Sequence, residues 1–218
     1  MCWPGVRDRE IRSRTRVQGR TVASMTAGTG KLLVRLVVGG VFTSHGLQKL
    51  RGAFGGPGLA GTEKMVASMQ MQPAALQARA VALTETIGGI AIAAGAATPV
   101  AAAGLIATMV TAIRKVHWKN GPWNSNGGFE FNAVLIAVVT ALSIDGPGEV
   151  SVDAALGKKR WGLLGGLFAL GAGIVGSIAA IEFGRRASES MEAETSGSHD
   201  GDDAGQPSAA ASSTDADS

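Results

Sequence analysis

The chain has 218 residues, of which 17% are charged, against roughly 25% in an average soluble domain, and 32 are glycine. Low charge, few aromatics and abundant Ala, Gly, Val and Leu exclude a soluble enzyme, a nucleic-acid binder and a wholly disordered chain, and fit helices packed in lipid. The single cysteine, Cys2, excludes an intrachain disulfide and a multi-thiolate metal centre, so no metal site is expected.

The net charge of +3 conceals an asymmetry. The first segment, 1–30, is a basic arm rich in arginine and is expected to be disordered. Met25, just before the first apolar run, is an alternative start. Arg35 interrupts that run, which argues against a signal peptide. Gly28-Thr29-Gly30-Lys31 lacks the earlier glycine and the Ser/Thr that a phosphate loop requires.

An apolar helix needs about 20 residues to cross the hydrocarbon core. Five stretches qualify: Lys31 to Arg51, Leu76 to Ala97, Pro99 to His117, Phe129 to Ile144 and Trp161 to Phe183. The fourth is short. The tight Thr98-Pro99 junction makes the second and third an antiparallel hairpin. Backbone groups in lipid must be satisfied internally, and runs without strict alternation favour helices over a barrel. The fold class is therefore all-α, a polytopic membrane helix bundle. In the fifth span Gly165, Ala169, Gly173 and Ser177 recur every fourth position, a spacing that permits close helix contact. Such small-residue faces are also candidate homo-oligomer contacts. The tail, 187–218, is rich in Ser, Ala, Asp and Gly, carries Asp and Glu without Lys or Arg, and is expected to be disordered.

Ionisable groups inside spans are expensive and mark candidate functional positions. Counted at 100° per residue, Arg35, Phe42, His45 and Lys49 fall within about an 80° sector of the first helix. The second span carries Glu85, the third ends in Arg114, Lys115 and His117, and the fourth opens on Glu130. Alternating topology brings the end of span one, the start of two, the end of three and the start of four to one membrane side. His45, Lys49, Glu85, Arg114 and Glu130 are thus expected to line one half-buried polar cavity. Within it His45 and Glu85 are candidate proton-transfer groups, and Lys49 and Arg114 candidate holders of an anion. Snorkelling of Lys49 and Arg114 to the headgroups, with Glu85 fixing helix register, is the competing structural reading. Arg35 lies toward the opposite side, where Asp145 and Asp153 are its expected neighbours.

Four ordered blocks resemble the DoxX family of membrane proteins. They are Arg35 through Phe42, His45-Gly46 and Lys49; Glu85 with Gly88-Gly89; Asn126-Gly127-Gly128-Phe129-Glu130; and Gly146-Pro147-Gly148 followed by Asp153. The resemblance covers about 31–155. It implies a four-helix membrane core, to which the span at 161–183 adds a fifth C-terminal transmembrane helix. It also implies a redox association: relatives serve as a small membrane subunit of thiosulfate:quinone oxidoreductase, and others work with thiol-redox or oxidative-stress systems. A quinone is the cofactor that follows from this resemblance, and a quinone or a small sulfur substrate is the expected occupant of the cavity. The expected partners are the lipid bilayer and a soluble redox enzyme, with no nucleic acid. The expected location is the cell (plasma) membrane, as a multi-pass protein. Intrinsic thiol exchange is excluded by the lone Cys2. A small proton-coupled transporter or channel using the same cluster, and a scaffold without intrinsic activity, are the alternatives. With the basic arm counted, the excess of cations places the N-terminus in the cytoplasm; from Met25 the balance reverses.

Overall fold

The structure is a computed structural model that describes the backbone of residues 5–158 and 160–203 and the side chains of 28–158 and 160–194. Helices α1 (Gly5–Arg51), α2 (Gly58–Ser68), α3 (Ala74–Ala94), α4 (Thr98–Ala112), α5 (Glu130–Asp145), α6 (Val152–Ala155) and α7 (Gly162–Asp203) build it, with no strand among the described residues. A π turn, Ile113–His117, and a 3-10 turn, Trp118–Asn120, prolong α4 without a break. Each of the five apolar stretches read from the sequence falls on a helix. Two segments, Thr98–Asn120 and Gly162–Glu194, are long and apolar enough to cross a membrane by length and composition.

The boundaries at both ends differ from expectation. α1 begins at Gly5, well inside the basic arm, and α7 runs to Asp203, past the expected tail boundary at 187. Extending an existing helix adds one backbone bond per residue and avoids the cost of a nucleus, so a polar continuation needs no packed face. At the start of the α7 extension Arg185 pairs with Glu182 and Glu189, and Arg186 with Glu182, all three or four residues apart. Met1 to Pro4 and 204–218 lie outside the described residues.

Helix α2 has no counterpart in the sequence reading. Its eleven residues bury only Thr62 and Val66, too narrow a stripe to stand out in a glycine-rich linker. The Thr62 hydroxyl donates to the Gly58 carbonyl and lies 3.2 Å from that of Lys49, which pins α2 to the end of α1.

Close approach of α1 and α3 organises the bundle. A Cβ on Gly39 would lie 2.6 Å from the Gly89 carbonyl oxygen, and one on Gly46 would collide with the Thr86 backbone and hydroxyl. Thr43 and Thr86 return their hydroxyl protons to the carbonyls of Gly39 and Ala82, so the contact leaves no polar group unsatisfied. On the neighbouring face of α3, Gly88 meets Leu105 of α4. Gly95, with φ 66°, ends α3 in the left-handed conformation, and Pro99 opens α4. The resulting hairpin shares a core of Phe42, Ile92, Leu105, Ile106, Val139 and Ala169 with its neighbours.

The fifth long helix is not an appendage. Gly165, Ala169, Gly173 and Ser177 are all buried. A Cβ on Gly173 would press on Ile106 and the Ala103 carbonyl, and Ser177 shares a hydrogen bond of 2.9 Å with Thr111. The small-residue stripe is thus used inside the chain, against α4. Apolar side chains point outward elsewhere, among them Leu33, Val37, Leu83, Ile87 and Leu164.

Replacing Gly46 by valine should force α1 away from α3 and cost about 1–3 kcal/mol as an overpacking change. The expected outcome is a lower thermal midpoint in detergent, while valine at Gly40, which has open space around it, should leave the midpoint near that of the parent.

Candidate functional site

Two polar sites lie at opposite ends of the α1–α3 pair. At the first, Arg35 is 2% exposed. Its Nε lies 3.2 Å from the Ile92 carbonyl and its Nη2 2.8 Å from that of Ala93, both at the end of α3. Its Nη1 donates to the carbonyls of Pro147 and Val150 beyond α5. One guanidinium, with its forked donors, therefore closes orphan carbonyls from two segments. Gly146 and Gly148 take φ of 82° and 87°, the left-handed region that lets Pro147 turn its carbonyl inward.

Asp153 completes this end. It accepts from the backbone N–H groups of Ala97 and Thr98 at 2.7 and 3.0 Å, from the Thr98 hydroxyl at 2.8 Å and from the Trp161 indole at 3.2 Å. Its carboxylate caps α4 from a distance in sequence. Burial by itself raises the Asp153 pKa, but the hydrogen bonds from Thr98, Ala97 and Trp161 outweigh it and hold the carboxyl below its ordinary value. Of the two expected neighbours of Arg35, Asp153 is near enough to act on its charge, whereas Asp145 faces Lys31, 3.7 Å away; the hydrogen bonds of Arg35 go to carbonyls.

At the other end lies a cavity of about 570 Å³. Phe42, His45 and Lys49 of α1 line one wall, and Thr84 and Glu85 of α3 the next. Thr108 and Met109 of α4, with His117 of the π turn, form the third, and Asn132 of α5 closes it. Over one side lie Met65 and Val66 of α2, followed by Met69 and Met71. Glu85 is 2% exposed and is ion-paired with Lys49. His45 is exposed, so one edge of the cavity opens outward.

The structure thus brings His45, Lys49 and Glu85 together as expected, but not Arg114 or Glu130. Arg114 is exposed and outside the lining. Membrane side alone does not fix a helix face, and the π turn changes the winding where Arg114 sits. Glu130 accepts the backbone N–H of Asn124 at 2.7 Å and so orders the loop before α5, where Trp118 stacks on Phe129. The sequence reading missed Asn132, whose amide nitrogen lies 3.3 Å from the Met109 sulfur. A polar residue in the apolar run of α5 was its only signal. His117, Met65 of α2 and the following Met69 and Met71 were missed as lining groups too.

These features define a helical membrane-type bundle with a side cavity. Residues 30–118 match the family model DoxX, so this segment of the chain carries a DoxX domain. The later blocks, at 126–130 and 146–153, lie beyond the matched segment. No curated protein and no solved structure matches the chain.

Asp153→Asn should weaken the cap. Losing the charge at hydrogen bonds of this kind costs about 2 kcal/mol. Because the folded carboxyl titrates lower than the unfolded one, its contribution is complete above the unfolded value, about 4, and is lost as pH falls through the folded value. The thermal midpoints of parent and variant should therefore differ most at neutral pH and converge in acid. Arg35→Lys should be destabilised at every pH tested, since one ammonium cannot span four carbonyls.

Proposed function

We propose that the chain is a multi-pass protein of the cell membrane, crossing it five times, whose cavity receives a quinone as the membrane subunit of a redox complex. The observation that carries this reading is the cavity itself. Its volume lies within the range usual for small-molecule sites, roughly 300–1,000 Å³. Its walls are mostly apolar and adaptable, with methionines from α2, the following loop and α4, while its polar lining includes the Lys49–Glu85 ion pair and Asn132. An isoprenoid-like tail suits the first part and a quinone ring the second.

A quinone supplies two-electron chemistry coupled to uptake of two protons. The chain's own residues would hold the ring and carry the protons. The Lys49 ammonium has hydrogens beyond the one engaged by Glu85 and can donate to a ring oxygen. The Glu85 carboxylate can pass a proton, and exposed His45 one turn before Lys49 connects it to water. A soluble partner would bring the substrate oxidation and dock on the cavity side, where Arg114 and Lys119 are exposed.

Glu85→Gln keeps the shape of the carboxylate and removes its proton chemistry. The variant is expected to insert and to lose quinone-dependent oxidation of thiosulfate in membranes by at least about tenfold, the lower end being modest for a general acid–base group. Thr108→Phe, which fills the cavity, should abolish saturable binding of decylubiquinone to the purified protein in nanodiscs. Unchanged binding in the filled variant would sink the cavity as the quinone site, and parent-like turnover in Glu85→Gln would sink its proton role.

A further inference from the structure

We propose that the cavity is selective for an uncharged, bilayer-soluble molecule and excludes anions, including the small sulfur oxyanions that the redox reading calls for elsewhere in the complex. The inference rests on the cavity being a ligand site, as proposed above, and adds which charge class that site keeps out.

The argument is one of charge balance. Among the described residues that line the cavity, the groups with a fixed charge are Lys49 and Glu85. They are paired with each other, and Glu85 is buried. Together they offer a strong dipole and no net charge. The neighbouring cations point elsewhere. Arg114 is exposed outside the lining, and the Lys115 ammonium is 3.0 Å from the Met69 backbone carbonyl rather than in the cavity. The remaining polar lining groups are hydroxyls, amides and the imidazoles of His45 and His117.

An anion entering this space would face Glu85 without a free cation to balance it. To capture Lys49 it would have to leave Glu85 buried and unpaired, which is strongly unfavourable. A neutral head meets no such penalty. It can accept from Lys49 while the ion pair stays intact. The apolar remainder of the wall then favours a ligand that partitions from the bilayer.

The α2 segment fits such a ligand. It is an eleven-residue helix that covers the cavity with Met65 and Val66, and its attachment buries little else. The connection before it passes through Gly52, Gly55 and Gly58, each with positive φ. Phe54 in that connection is 74% exposed, and Met65 is exposed on the same cover. The outer groups of this cover are mixed, with Lys64 exposed beside Met65, as suits a segment lying where lipid meets water.

Two probes of equal chain length separate the charge classes: decanol, and decanesulfonate, which is anionic at all pH. Binding is measured by equilibrium dialysis against the full-length protein in zwitterionic nanodiscs at pH 8, where a free imidazole is neutral, with protein-free discs as the blank. The parent is expected to bind decanol saturably and decanesulfonate at least about tenfold more weakly, a difference of about 1.4 kcal/mol. Glu85→Gln frees Lys49 and should gain affinity for decanesulfonate, a change that misfolding cannot produce. The double variant Lys49→Gln/Glu85→Gln, which has no fixed charge, should keep the preference of the parent. A parent that prefers decanesulfonate overturns the charge selectivity while leaving the cavity a ligand site. Absence of saturable binding of either probe overturns the cavity as a site, and this inference with it.

Discussion

Everything else in the molecule depends on how closely α1 can approach α3. The approach is set by hydrogen atoms where side chains would stand: Gly39 and Gly46 on one helix, Gly89 and the small face around Thr86 on the other. Because the helices are antiparallel, one register serves both ends. It lays Arg35 against the Ile92 and Ala93 carbonyls near the end of α3, and Lys49 against Glu85 two turns before them. A shift of one turn would leave a guanidinium and a carboxylate buried without partners. Packing and electrostatics here are therefore one constraint.

The two polar ends use similar groups to different effect. At the Arg35 end each guanidinium nitrogen meets a fixed carbonyl, and Asp153 meets fixed N–H and O–H donors. These bonds hold the site together, and the outcome is rigidity. At the Lys49 end the ion pair adjoins open volume, an exposed histidine and flexible methionines. The same kind of charge becomes available to a visitor because its surroundings are only partly filled.

Much of this was legible in the sequence, for physical reasons that can be named. Long apolar runs without alternation have few ways to satisfy their backbone, so each became a helix. Alternating topology placed His45, Lys49 and Glu85 together because chain direction alone decides which helix ends share a side. The failures have a common cause. Arg114 and Glu130 share that side, but their roles depend on rotation about the helix axis and on the path of a loop. A π turn and a backbone hydrogen bond at Asn124 decide those, and neither leaves a periodic trace. Asp153 was legible as a neighbour of Arg35, but the hydrogen-bond partners of the guanidinium were not, because carbonyl groups are invisible in a list of side chains. α2 was hidden because its buried stripe is two residues wide.

The satisfaction of Arg35 also has a temporal side. Its acceptors lie 57 and 58 residues further along the chain in α3, and 112 and 115 residues further in the segment after α5. During synthesis the first helix is complete long before any of these carbonyls exists. Until then its guanidinium has none of its final partners. The last carbonyls arrive with the Gly146-Pro147-Gly148 turn, so the earliest long helix is fully bonded only when the fourth long helix and the turn after it have been made.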